Sequence, residues 1–136
     1  MNSRINDKAD EIEGYLAELE EIKPLTFKDY SNDLKTKAAC ERYIEKIVEA
    51  VVDIAFLVIK EKALGAPEND AEALMMLAEN EIISSELAGK LQDAKGMRNI
   101  LAHEYGEIDD EIIFNSINEE LGRDVKEFIK KIKESG

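Results

Sequence analysis

The chain has 136 residues, 44% apolar and 36% charged, which is enough to fill one hydrophobic core and excludes a disordered tail. With 18 Lys and Arg against 31 Asp and Glu, the formal charge of −13 excludes a generic nucleic-acid coat; any contact with RNA or DNA has to be local. The single cysteine, Cys40, excludes an internal disulfide framework and a zinc site of Cys ligands, and it reads as a small buried apolar residue.

The expected elements are almost all helical. The first helix runs from Ser3 to Ile22, with Ile5, Ala9, Ile12, Leu16 and Leu19 on one stripe and an acidic opposite face. Lys23-Pro24 ends it, because the residue before proline avoids helical angles. Thr26 to Tyr30 is either an early start of the next helix or a short turn. The second helix, Asp33 to Leu64, is apolar on nearly every side between Ile47 and Ile59 and so should be the central helix of a bundle, with part of it entering a subunit interface. That run is too short to span a bilayer, and the acidic stretch from Met1 to Leu19 lacks the apolar core of a signal peptide. Gly65-Ala66-Pro67 should stop the second helix.

A short third helix, Asp70 to Glu79, follows a capping box of Asn69 and Glu72. After a turn at Asn80 to Ile83, Ser84 caps a fourth helix running to Tyr105, and Gly106 ends it. Asp109 caps a fifth helix from Asp110 to Lys133, whose stripe is Ile112, Ile113, Ile117, Leu121, Val125, Phe128 and Ile132. No segment alternates like a strand. The expectation is a single all-α domain over residues 1–136, an antiparallel four-helix bundle with one short additional helix, in the cytoplasm.

Charge is uneven along the chain. Asp7 to Glu21 carries a net −6, Gly89 to Asn99 a net +2 and Arg123 to Lys133 a net +3. The last island suits the C-terminal end of a helix macrodipole. The acidic face of the first helix reads as a solvated surface and not as a metal site.

The most informative stretch is Gly96 to Gly106, which holds the only histidine. Leu87, Leu91, Ala94, Arg98, Leu101 and Tyr105 follow one stripe, so Arg98 stands where the pattern reserves a place for apolar packing. A buried arginine has to be paired, so it either meets an acid of the bundle or faces a wet cleft. Glu49 and Asp53, four apart on one face of the central helix, need partners by the same rule, and Arg98 or Arg42 would serve. Asn99 and His103 share a second face, about 100° from that of Arg98 and Tyr105.

Arg-Asn-x-x-x-His-x-Tyr late in a small helical bundle resembles the HEPN superfamily, and more closely the HepT-like toxins. Arg98, Asn99, His103 and Tyr105 match that group's Arg, four residues, His, one residue, Tyr. Glu49-Ala50 and Asp53-Ile54-Ala55, and the Leu77-Ala78 turn leading through Ile82-Ile83-Ser84, are similar to their counterparts, so the resemblance covers about Ile5 to Ile132. It implies a HEPN-type bundle and a metal-independent endoribonuclease, without cofactor, acting as a homodimer on RNA. Arg98 and His103 would be catalytic and Asn99 supporting. It also implies an MntA-like nucleotidyltransferase antitoxin as partner, silencing the toxin by attaching AMP to the motif tyrosine, here Tyr105.

The residue types suit that chemistry. Metal-free cleavage of RNA by its own 2′-OH needs a base, an acid and a cation for the developing charge. An imidazole, with an ordinary pKa near ~6.5, moves protons at neutral pH. A guanidinium matches phosphate oxygens with a planar fork of donors. One histidine cannot be both acid and base, which gives a physical reason for a two-fold dimer with two His103 side chains in one cleft. Glu49 or Asp53 at such a cleft would raise the pKa of His103. The alternative is a non-enzymatic helical module that binds a nucleotide or a nucleotidyltransferase partner in the same groove, and the −13 charge leans that way.

Overall fold

The computed structural model describes residues 3–103 and 109–136 and, apart from its loops, is helical throughout that range. Helix α1 spans Ser3–Ile22, α2 Phe27–Asn32, α3 Leu34–Glu61, α4 Asp70–Glu79, α5 Ser85–His103, α6 Asp110–Asn115 and α7 Leu121–Ser135, with a π-helical turn at Ser116–Glu120 joining the last two. No helix among the described residues is long and apolar enough to cross a membrane.

The long segments form a closed ring in the order α1, α3, α5, α7, each packing on the next and α7 returning to α1. The α1–α3 pair is antiparallel: Lys8 lies against Asp53, and Tyr43 donates to Glu18. Short helix α4 covers the joint of α3 and α5, and α2 ties α3 to α6. As a stretch apolar on nearly every side requires, α3 is central. Ile47, Ala50, Val51, Ile54, Ala55, Val58 and Ile59 are buried along it, as is Cys40 nearer its start. The expected α1 stripe also faces inward, Leu16 only partly.

Local chemistry sets the starts. Asp33 accepts from the Lys35 and Thr36 amides to open α3, Asn69 from Glu72 at 2.8 Å to open α4, and Ser84 from Leu87 at 3.0 Å to open α5. Three expectations need correction. Residues 27–32 form a helix of their own, because Thr26 caps it and Asp33 breaks and recaps the chain at once, so the bundle carries two short additional helices. Helix α3 ends at Glu61, before Gly65. Ala63, at φ +52°, donates to the Lys60 carbonyl, and Leu64 donates to that of Ile59, a Schellman ending with alanine in the glycine place. The fifth helix is not one regular rod, and Ile112 is exposed.

That last departure follows from the apolar spacing. Ile113, Ile117, Leu121 and Val125 all face the core at successive steps of four, and each such step overshoots an α-helical turn by about 40°. The wider π turn takes up the drift. Within it the Leu121 amide donates to the Ser116 carbonyl, and the Asn118 side chain donates to Phe114 O, the acceptor its own amide would use in an α-helix.

Candidate functional site

Arg98 and Asn99 lie in the last turns of α5, where the helix runs beside the middle of α3. The Arg98 side chain is 25% exposed. Its Nη1 donates to the Asn99 Oδ1 at 3.1 Å, and its Nη2 stands 3.8 Å from Glu49 Oε2 on α3. Its Nε is buried and has no hydrogen-bond partner among the described residues. Of the two options the sequence left open, the arginine realises parts of both. It meets an acid of the bundle, and that acid, 58% exposed, stands in solvent at the rim of the seam. The stem thus runs through apolar packing while the guanidinium fork arrives at the surface. Asn99 engages Arg98 with its carbonyl oxygen, which turns its amide nitrogen away as a donor.

The other expected partners sort differently. Arg42 pairs with Glu45 at 3.3 Å, one turn along α3, and Asp53 pairs with Lys8 of α1 at 3.4 Å. The structure therefore joins Arg98, Asn99 and Glu49 and places Asp53 in a separate ion pair with α1. His103 supplies the last described residue of α5, and its side chain falls outside what the structure describes. Tyr105, the expected course of the helix to that residue and its stop at Gly106 lie outside the described residues.

The first cationic island is partly neutralised, since Lys90 pairs with Glu86 at 3.3 Å and lies 4.0 Å from Asp124. In the second, Arg123 pairs with Asp124, Lys131 with Glu134 and Lys133 with Glu13. Arg98 keeps a weaker partner than most of these cations have, at the longest distance but one of the pairs just given. A groove beside the site, lined by Lys90, Met97, Asn115 and Arg123 among others, separates α5 from the π turn and α7, and neither Arg98 nor Asn99 lines it.

Sequence reasoning missed one contact at this end of the bundle. Lys37 Nζ on α3 lies 2.7 Å from Asp110 Oδ2, the first residue of α6. Asp110 reads in sequence only as the start of a helix, and a pairing across 73 positions leaves no local signal.

Comparison with known proteins gives four findings. A family model described as Ribonuclease HepT-like matches residues 12–132. The chain is 29% identical over 104 residues to a tRNA nuclease HepT of Aphanizomenon flos-aquae, covering 76% of this chain and 71% of the relative. It is 31% identical over 90 residues to an mRNA nuclease HepT of Shewanella oneidensis, covering 66% and 67%. Its fold superposes with a TM-score of 0.93 and 25% identity on a tri-AMPylated HEPN toxin of Shewanella oneidensis solved in complex with MNT antitoxin, over 98% of this chain and 99% of that one.

Proposed function

The chain belongs to the HepT-like ribonuclease family, and from that premise we propose that it is the toxin of a toxin–antitoxin module, a metal-independent endoribonuclease silenced when a nucleotidyltransferase partner attaches AMP to Tyr105. The observation that carries the reading is the Arg98 fork, delivered through a packed seam to a solvent-facing rim beside Glu49. A cation so placed is pre-oriented for a phosphate and pays little to be organised at the moment of reaction.

In the proposed reaction the 2′-oxygen attacks the adjacent phosphorus. The O2′–P bond forms, the P–O5′ bond breaks, and the products end in a 2′,3′-cyclic phosphate and a 5′-hydroxyl. His103 moves the protons, one in each direction. Because the chain has a single histidine, a homodimer supplies acid and base from two copies. Arg98 carries the charge that gathers on the phosphoryl oxygens, and Asn99 holds Arg98 while offering its amide to the same group. AMP on Tyr105 would set an anion and a large base beside Arg98, repelling an RNA phosphate and filling the approach to it. The partner in this reading is an MntA-like nucleotidyltransferase, as in the solved complex of the Shewanella toxin, and the setting is the cytoplasm.

The test is cleavage of RNA in excess EDTA by wild type, Arg98→Ala, His103→Ala and Tyr105→Phe. Loss of one proton-transfer or charge-stabilising group costs roughly 10²–10⁴-fold in rate, so the first two variants should fall by at least a hundredfold. The wild-type fragments should carry cyclic phosphate. Tyr105→Phe should cleave normally and gain no AMP from the partner and ATP. Unchanged rates in Arg98→Ala and His103→Ala would defeat the catalytic assignment, and full activity in a strict monomer would defeat the shared cleft.

A further inference from the structure

Central as it is, α3 keeps one stripe out of the core. Glu49, Asp53, Phe56 and Lys60 follow one another along it at steps of four, three and four. Both neighbouring helices reach that stripe, since Arg98 of α5 meets Glu49 and Lys8 of α1 meets Asp53. The antiparallel course of α1 carries its first turns past the C-terminal half of α3. Arg4 and Lys8 therefore line one groove with Asp53, Phe56 and Lys60, and Pro67 stands at its rim. The groove measures about 710 Å³, within the range of ligand clefts. We propose that it is a second, non-catalytic RNA-binding site, in which an unpaired base stacks on Phe56 while Arg4, Lys8 and Lys60 hold the flanking phosphates. A strand engaged at Arg98 would continue along the α3 stripe, which is about 16 Å long from Glu49 to Lys60. The proposal rests on the nuclease reading for the identity of the polymer.

Charge and chemistry both point to a single-stranded polyanion. Arg4, Lys8 and Lys60 against Asp53 give the lining a net +2, in a chain of net −13. Lys60 has no acid partner among the described residues. Lys8 and Asp53 stay in contact with water, their side chains 35% and 46% exposed, so a phosphate can take over the ammonium without stranding a buried carboxylate. Phe56 is 36% exposed and presents an aromatic face among these cations. Cations that track a sugar-phosphate chain, beside a ring on which a base can stack, are the two parts of a single-strand site. Other grooves lack one part or the other. The groove along α7 with Lys126, Lys130 and Lys133 also holds Glu13 and Glu134 and offers no ring. The groove beside Met97 sets Lys90 and Arg123 against Asp93, Glu119, Glu120 and Asp124, a net −2. A two-fold contact centred on the α1–α3 groove would set its cations against themselves, which favours a nucleic acid over a second copy of this chain.

The chain has no tryptophan, so full-length Phe56→Trp carries a single indole at the place where the base should stack. The probe is a 2′-O-methylated, adenine-rich RNA of about eight nucleotides, which has no free 2′-OH and so binds without being cut. It should quench the Phe56→Trp emission saturably, at the same concentrations that raise the anisotropy of the labelled probe. Phe56→Leu, which keeps an apolar side chain but no ring, should weaken binding about fivefold or more, with far-UV ellipticity unchanged. Lys60→Gln should weaken it at low salt and reduce the slope of log affinity against log salt by about 0.7, the value for one phosphate contact on a single strand. The proposal is overturned if the probe binds without quenching Phe56→Trp, or if Phe56→Leu and Lys60→Gln bind as wild type does. It is equally overturned if inorganic polyphosphate quenches as RNA does, which would leave an anion site without stacking. A change of Phe56→Trp emission with protein concentration alone, together with dissociation of Phe56→Leu in sedimentation, would make the groove an interface between copies and overturn it too. Quenching by the probe in a protein that cleaves no RNA would uphold the groove and sink the nuclease reading. Cleavage with KM unchanged in Phe56→Leu and Lys60→Gln would do the reverse.

Discussion

At the scale of single residues, the chain spends its buried charge sparingly. Among the described residues, Arg98, Lys37, Asp110, Asp124, Lys23 and Glu45 are charged groups that enter packed surroundings, and each is paired. Glu41 sits half-buried on α3 near Lys37 and Asp110. Burial pushes its carboxyl above the usual range, Lys37 pulls it back, and Asp110 and Glu45 push it further. A carboxyl raised in the folded state binds its proton more tightly there than in the unfolded chain. Its favourable contribution is complete below the ordinary glutamate range and is lost as pH rises through the folded value. Glu41→Gln is therefore expected to melt above wild type at pH 7, with the gap closing as the pH is lowered toward 4. A melting series across that range checks it, and a gap that widens toward acid would reverse the assignment. Cys40 is fully buried, and its thiol is pushed up to about 11, first by burial and then by Glu41, which makes it an inert core group.

At the scale of elements, the endings are more informative than the beginnings. Caps at Asp33, Asn69, Ser84 and Asp109 follow side-chain rules that a sequence displays openly. The C-terminal ends of α3 and α4 do not. Both close by the same Schellman geometry, with Ala63 at φ +52° and Glu81 at φ +60°, and with Leu64 and Ile82 folding back to the Ile59 and Leu77 carbonyls at 3.0 and 2.9 Å. What permits a left-handed residue with a side chain is the burial of Ile82 and the packing of Leu64 on the core just beyond it. An L-residue in that region costs about 1 kcal/mol relative to glycine. Ala63→Gly and Glu81→Gly should then each raise stability by about 0.5–1 kcal/mol, read as a shift of the denaturant midpoint at constant m-value. A loss of stability in both would mean that the strain is relieved some other way.

At the scale of the whole molecule, a charge of −13 acts on both folding and function. Acids outnumber bases along α1, where Glu11 meets Lys8, Glu20 meets Lys23 and Glu13 meets Lys133, and the chain as a whole keeps a large negative excess. Self-repulsion of this kind weakens the compact state and is screened by salt. Raising NaCl from about 20 to about 200 mM, which shortens the screening length to below about 10 Å, should raise the melting temperature. A fall would indicate that paired charges outweigh the unpaired ones. The same field repels RNA at long range, so the proposed reaction depends on the short reach of Arg98 and on delivery of a second His103 by a partner copy.

Much of this protein was legible in its residues alone. The helical class, the central place of α3, four of the helix starts and the Arg98-to-Tyr105 motif all depend on periodicity, capping or short spacing, which are local properties of a chain. The choice of Glu49 over Asp53 as the partner of Arg98 was not legible. Both acids occupy one face of one helix, and only the lateral placement of α1 and α5 assigns one to each. The Lys37–Asp110 contact, the π turn at Ser116–Glu120 and the early close of α3 were also decided by packing. Each arises where elements distant in sequence compete for the same space, and no window of neighbouring residues contains that competition.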